Sequence, residues 1–421
     1  MMQNYDVVVI GGGAAGLMAA VQAGRRNRRV LLIEHTAKIG EKIRISGGGR
    51  CNFTNLGASP ANYLCSNPHF VKSALAGFTQ HDFIKMVQDH GIPYHEKTLG
   101  QLFCDGSSKQ IIQMLLDECA KAQVKILLSC RVNDIAKSDQ FSVVSDKGTF
   151  VAESVVIATG GLSIPQIGAS DFGYRIAKKF DIPIRATSPA LVPLIVGAND
   201  LQHFKAISGI SNASIVSYEK TKFPENILFT HRGLSGPAIL QISSYLPSFT
   251  GEMISINFLP NLDLGQVINQ YKDSKKTLCN FLKQYLSDRL VDFMVDDPFW
   301  HRPMTEVKKI NLLTVAHRLH NFPIQIQGSE GYQKAEVTRG GVDTDYLSSK
   351  TMMVKQVPGY DTAPRSDDEV GDVVQKTTTG WRFSEYSAMA GALVDRLAGA
   401  VSIAQDEVSC VPSPAQQAAT G

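Results

Sequence analysis

The sequence predicts an α/β protein in which a Rossmann-type domain is interrupted by a small β domain with a helical insertion. Three observations predict it: a glycine-rich strand-turn-helix at the N-terminus, a buried strand that ends in Ala-Thr-Gly-Gly at Gly161, and a change to short strand patterns after Pro189.

The apolar run Val7-Val8-Val9-Ile10 leads into Gly11-Gly12-Gly13-Ala14-Ala15-Gly16, and Leu17, Met18, Ala19, Ala20 and Ala23 continue as a small-residue helix. Gly11 permits the turn, Gly13 lets the backbone approach a pyrophosphate, and Gly16 lets helix and strand pack closely. The helix start, with Ala14 and Ala15 in its first turn, offers amides and the positive end of a dipole to phosphate. A second strand, Val30-Leu31-Leu32-Ile33, ends at Glu34, where a carboxylate can accept hydrogen bonds from both hydroxyls of an adenosine ribose. His35 adjoins it, and a 2′-phosphorylated ribose would be repelled. A strand before, a helix after and an acid at the end of the next strand make this a dinucleotide site rather than an ordinary βαβ turn. The cluster Arg25-Arg26-Asn27-Arg28-Arg29 falls where the first helix should end, and reads as a solvated terminus whose cations suit the dipole.

The chain then becomes basic and glycine-rich, with Lys38, Lys42 and Arg44 followed by Ile45-Ser46-Gly47-Gly48-Gly49-Arg50-Cys51-Asn52-Phe53-Thr54-Asn55. Three successive glycines do not suit a helix interior, so the segment reads as a loop. Its amides and the forked donor of Arg50 suit an anion or the edge of a flat heterocycle. Lys42, Ser46, Gly47, Gly48, Gly49, Arg50, Cys51 and Asn52 are therefore expected to be a second cofactor contact.

Apolar periodicity predicts helices over 68–92 and 107–122. A strand from Lys125 to Cys130 follows, with Val132 placed to meet an adenine edge. A hairpin over 141–151 precedes Ser154-Val155-Val156-Ile157-Ala158, which ends in Thr159-Gly160-Gly161. That ending matches the second fingerprint of FAD enzymes and brings Ala158, Thr159, Gly160 and Gly161 to the cofactor. Beyond Pro189, strand patterns at 191–196, 213–218, 227–230 and 254–258 predict the β domain, and residues 263–319 read helical. Strand sequence resumes at Ile324, and the run from Ala335 through Gly340, Gly341 and Val342 should return the chain to the cofactor domain. A helix is expected over 384–400 and a disordered tail over 401–421.

These segments, together with Leu228-Phe229-Thr230-His231-Arg232-Gly233-Leu234-Ser235-Gly236-Pro237, resemble a bacterial flavoprotein family labelled aminoacetone oxidase-like or BaiN-like FAD-binding oxidoreductases. The likeness runs from residue 5 to about 359. It implies a Rossmann-type FAD-binding domain (1–190 and 335–400) with an inserted β-barrel domain (191–262 and 320–334) that carries a helical insertion (263–319). It also implies oxidoreductase chemistry, with reduction of a conjugated enone suggested by the BaiN label. After Val357-Pro358-Gly359 the family usually continues into a strand ending in Gly-Glu and a glycine-rich helix start, whereas here Tyr360-Asp361-Thr362-Ala363-Pro364 follows. The departure suggests a shifted reading frame or a recombined end.

The bulk properties narrow the function classes. A chain of 421 residues with 43% hydrophobic content can bury a large core. Its 42 basic and 39 acidic residues leave a net charge of +3, which gives no reason to expect nucleic acid or an anionic membrane surface as a partner. Seven cysteines without a CxxC pair indicate neither a zinc site nor a disulfide framework. With no signal-peptide pattern and no bilayer-length apolar run, the chain is expected in the cytoplasm. A flavin carries the electrons, so side chains need only place substrate, tune the ring and move protons. Cys51 and His231 are the candidates for such roles; His95-Glu96 is not, because neighbours on a strand point apart. The leading expectation is an FAD-dependent oxidoreductase of a small carbonyl-bearing or apolar molecule, with NAD(P)H as transient electron donor. A catalytically impaired nucleotide-binding protein and a flavin-dependent tRNA-modifying protein are the alternatives.

Overall fold

The structure, a computed structural model, describes residues 3–65, 67–271, 273–355, 373–375 and 401–403. The expected helix over 384–400, the sequence departure after residue 359 and the tail beyond residue 403 lie outside the described residues. The described residues divide into one compact unit formed by those up to Pro189 and those after Ala335, and a second formed by Ala190–Ala335.

The first unit grows from the N-terminal strand. Strand β1 (Gln3–Ile10) carries the run that is buried from Val7 onward, and helix α1 (Ala14–Arg25) covers it with Leu17, Met18, Ala19, Ala20 and Val21, all at 0–1% exposure. Strand β2 (Val30–Ile33) pairs parallel with β1 in the register Val7 to Val30. On its other edge β1 pairs parallel with the strand Gly148–Ile157, and Lys125–Leu127 pairs parallel with β2. An antiparallel meander, Val132–Lys137 to Phe141–Ser145 to Gly148–Ile157, completes the side away from β2. Val401–Ile403 pairs parallel with Val155–Ile157, so the first three residues of the segment expected to be a tail are strand. All the fully parallel strands end on the same side of the sheet, where open α/β sheets place their ligands.

Three local expectations are corrected. The helical stretch over 68–92 is two helices, Lys72–Gly77 and Gln80–Asp89, because Phe78 is extended and Thr79 caps the second by accepting from the Asp82 amide. Helix α2 (Glu41–Gly49) is regular only to Ile45; Ser46 turns extended and Gly47 and Gly48 are left-handed, so the glycine segment is a loop grafted on a short helix. Its second half is not loop, since β3 (Asn52–Asn55) is buried and pairs antiparallel with Gln101–Cys104. The arginine cluster is also not simply solvated. Arg25 pairs with Glu118, and Arg29 holds Asp6 at 3.1 Å.

The second unit is built on a closed six-stranded barrel of Leu194–Val196, Gly233–Ser235, Thr221–Phe229, Ser211–Tyr218, Met253–Asn257 and Phe322–Ser329. Its strands alternate buried and open positions, as in Met253–Asn257, where Ile254 and Ile256 are fully buried. Among the described residues the helical segment holds four α-helices, Leu264–Tyr271, Leu278–Leu282, Asp288–Met294 and Lys309–His320, and the 3-10 turns Pro298–His301 and Met304–Glu306. Gly233 closes the barrel at a point where nothing larger fits, since a Cβ there would lie 2.2 Å from the Leu194 carbonyl oxygen. Gly233→Ala should therefore destabilise the protein by about 1–3 kcal/mol, by the overpacking cost typical of cores. Thermal or urea unfolding measures it, and an unchanged midpoint would mean that the barrel is not closed by this contact.

Candidate functional site

The carboxyl ends of β1, β2 and Gly148–Ile157 open onto a cavity of about 580 Å³, within the usual range for a small-molecule or cofactor site. Its walls come from Ile10–Gly13, Ile33–Thr36, Lys38, Gly40–Lys42, Cys130–Asn133, Ala158–Gly160, Ile167–Phe172 and Arg175. The segments nearest each other in space are far apart in sequence, and each reaches the cavity at the end of a strand or the start of a helix.

The glycine turn is shaped by close backbone approach. Gly11 is left-handed at φ +110°, and a Cβ on it would lie 2.1 Å from the Ala158 carbonyl oxygen. On Gly16 a Cβ would lie 1.8 Å from the Gly11 carbonyl oxygen. Gly13 caps α1 in extended backbone with no side-chain cap, and the first intrahelical bond is Leu17 N–H to Gly13 O at 3.0 Å. The helix start therefore presents backbone, not side chains, to the cavity, as phosphate binding requires.

Glu34 stands beside this turn. It is 7% exposed; its Oε2 accepts the Gly12 amide at 2.7 Å and its Oε1 accepts the Thr36 amide at 2.7 Å. His35 Nδ1 lies 3.0 Å from Glu34 Oε1. Burial pushes the Glu34 carboxyl up, but the bonds from His35, Thr36 and Gly12 outweigh it and hold the group below its ordinary range. The bond to Glu34 raises His35 above its ordinary value despite partial desolvation. The result is an ionised, oriented carboxylate beside the glycine turn.

The structure brings Gly11, Gly13, Glu34, His35, Lys42, Val132, Ala158, Thr159 and Gly160 to the cavity wall. Ala14, Ala15 and Gly16 lie just behind it, buried in the first turn of α1. Lys42 donates to Ser163 Oγ at 3.0 Å, and Ser163 in turn donates to the Glu336 carbonyl at 3.1 Å. The Leu162 amide donates to Thr338 Oγ1 at 3.0 Å, so the loop after Gly161 is tied to the returning strand Val337–Val342.

Other sequence candidates fall elsewhere. Ser46, Gly47, Gly48, Gly49, Arg50, Cys51, Asn52, Gly161, Gly340, Gly341 and Val342 do not border this cavity. Ser46 caps its own helix by donating to the Ile43 carbonyl at 2.8 Å, and Gly47 turns where a Cβ would meet the Asn52 amide nitrogen at 2.7 Å. Gly340 is demanded by strand pairing, for a Cβ there would lie 2.2 Å from the Ala186 carbonyl oxygen. Cys51 is fully buried, and desolvation pushes its thiol far up, which suits a packed thiol rather than a redox group. His231 is exposed in the turn between Thr221–Phe229 and Gly233–Ser235. His95 pairs with Asp105 at 2.6 Å, not with Glu96.

Sequence reasoning missed the wall formed by Ile167–Phe172 and Arg175, together with Arg131 and Asn133. One signal was available: the run Gly168-Ala169-Ser170-Asp171 is turn chemistry close after a cofactor fingerprint.

The described geometry fits the adenosine and pyrophosphate half of FAD. A turn that a Cβ would fill would face the phosphates, and a desolvated carboxylate held by two amides would face the ribose. The chain matches the HI0933-like protein Rossmann domain over residues 5–363. It belongs to that family. The chain is thus an FAD-dependent oxidoreductase. It is 46% identical to a protein of Escherichia coli named "Ribosomal RNA dihydrouridine synthase", over 90% of this chain and 94% of that one. It is 41% identical to a protein of Haemophilus influenzae with the same name, over 90% and 94%. A third relative, "3-dehydro-bile acid delta(4,6)-reductase" of Clostridium scindens, is 24% identical over 83% of this chain and 90% of that one. A span of 90% of 421 residues extends past residue 359 wherever it begins, so the likeness to the first two continues beyond the departure point. None of the three carries an aminoacetone oxidase name. Among the described residues, no helix is long and apolar enough to cross a membrane.

Glu34→Ala should weaken FAD binding by about one to two orders of magnitude, the cost of losing a charged hydrogen bond of about 1.5–3 kcal/mol. Quenching of flavin fluorescence on titration reads this, and an unchanged Kd would contradict the ribose assignment. A lowered folded value also sets a pH window. Glu34 contributes stability that is present above its ordinary value of 4.5 and is lost as pH falls through the lowered one. Glu34→Gln should therefore flatten acid unfolding in that window, and an acid transition identical to that of the parent would argue against it.

Proposed function

We propose that this protein reduces uridine to dihydrouridine in ribosomal RNA. The observation that carries the reading is near full-length likeness, at 46% and 41% identity, to two proteins named for that activity. The more distant relative, at 24%, is named for reduction of a bile-acid double bond. The two named activities share one reaction class. Uracil has a C5=C6 bond conjugated to its C4 carbonyl, and the bile acid's 3-oxo group is conjugated to the double bonds that are reduced. In uracil the hydride equivalent goes to C6, remote from the C4 carbonyl, and the proton to C5 beside it. Bound FAD supplies the two-electron relay for that addition.

The residues of this chain hold the relay by its nucleotide end. Glu34 binds the ribose, the turn Gly11–Gly13 and the start of α1 bind the pyrophosphate, and Val132 borders the adenine. The loop Ser46–Asn52 and the segment Gly340–Val342 are proposed as contacts of the flavin half. NAD(P)H is proposed as the electron donor, which transfers a hydride and leaves as NAD(P)⁺.

An RNA substrate replaces the expectation that nucleic acid is not a partner. That expectation rested on a net charge of +3, which is a sum over the whole chain and is silent on any local surface. Enone reduction in a small molecule is the second reading, favoured only by the 24% identical relative.

The test incubates the purified, FAD-loaded chain with an unmodified ribosomal RNA transcript and NADH or NADPH, then digests the RNA to nucleosides for mass spectrometry. Uridine in the transcript should gain two hydrogens and appear as dihydrouridine. RNA that remains unchanged while a steroid enone is reduced would replace this reading with the second one.

A further inference from the structure

Beside the ribose carboxylate, His35 stands between Glu34 and the Gly168 turn. Its Nδ1 lies 3.0 Å from Glu34 Oε1. On the other side of the ring stands Gly168, packed so closely that a Cβ there would lie 2.7 Å from His35 Nε2 and 3.2 Å from Cε1. The Gly168 amide is already donated to the Pro165 carbonyl at 3.1 Å, so the group it offers the ring is its carbonyl, which acts on His35 as a hydrogen-bond acceptor. A carboxylate and a carbonyl both accept, and neutral imidazole has one N–H. A ring that donates to both acceptors is the imidazolium.

We propose that the imidazolium of His35 is a cofactor-positioning strap, tying the ribose-binding carboxylate of Glu34 to the Gly168 turn and closing that wall of the cavity over the adenosine of FAD.

The turn needs such a tie. Pro165–Ile167 is a single 3-10 turn flanked by left-handed residues, Ile164 at φ +57° and Gly168 at φ +104°. A β-branched residue in that region is strained, so contacts from outside must hold the turn. The residues that follow, Gly168 to Phe172, line the cavity, so release of the turn loosens the wall itself. Glu34 meanwhile keeps one acceptor position for a ribose hydroxyl. Oε1 is engaged by Thr36 and His35, and Oε2 by Gly12 alone.

The charged groups around His35 set its response to pH. Glu34 favours the cation and Arg131, from the wall beside Val132, opposes it. Lys38, Glu41, Asp171 and Arg175 line the same cavity. The strap is in place below the ordinary value of 6.5 and is lost as pH rises through the raised one.

The inference rests on the FAD reading, and FAD itself is the probe, because its pyrophosphate and adenine keep their charge between about pH 6 and 9 while histidine does not. The parent protein should bind FAD about threefold to tenfold more weakly at the upper end of that range, as expected for a part-exposed ion pair coupled to binding. His35→Gln, whose amide has two N–H donors and no charge, should bind at an intermediate strength that does not vary with pH. His35→Ala should be weak at both ends. Gly168→Ala, whose methyl displaces the ring, should lose the pH slope while Glu34 stays intact. A parent Kd that is flat with pH, or a slope retained in His35→Ala, overturns the strap. Absence of FAD binding at every pH would overturn the cofactor reading and the strap with it.

Discussion

The structure depends on one backbone crossing. At the ends of β1 and Gly148–Ile157, the start of α1 comes so close that hydrogen is the largest side chain allowed at Gly11 and Gly16. This approach aligns the amide end of α1 with the opening of the sheet, and it brings Ala158 to Gly160 to the same place. The cavity, the orientation of Glu34 through the Gly12 amide, and the route of the chain back from residue 336 all follow from it. A larger residue at either glycine would move helix, strand and cavity wall together.

Polar economy explains the rest of the site. Glu34 is desolvated, yet its charge is retained because two amides and an imidazole point at it. Those amides belong to the glycine turn and to the residue two beyond Glu34, so the carboxylate also fixes where β2 ends relative to the turn. In the proposed site, cofactor recognition and local folding would use the same hydrogen bonds. This is why the acid is placed by backbone contacts and not by a neighbouring side chain alone.

Much of the first unit was legible in sequence, because its signals are local. The run Val7–Ile10, the glycine spacing and Glu34 lie within one βαβ unit, where spacing dictates geometry. The glycine loop over 46–50 was legible as loop for the same reason, whereas Asn52–Asn55 was not legible as strand: its partner, Gln101–Cys104, lies about fifty residues away and its polar residues are buried. The wall at 164–175 left little trace, since it depends on left-handed backbone at Ile164 and on packing against His35. In Gly233 and Gly340, glycine answers a close strand contact, a demand that only the neighbouring carbonyls reveal. Net charge says little about partners because it averages surfaces that act separately.

The central claim is that Glu34 and the glycine turn hold the two ends of one adenosine diphosphate moiety. A crystal structure of the protein with FAD tests this most directly. The account predicts a ribose hydroxyl on Glu34 Oε2 and the pyrophosphate against the backbone of Gly11–Gly13 at the start of α1. FAD bound with its ribose away from Glu34, or with its phosphates held elsewhere, would contradict it.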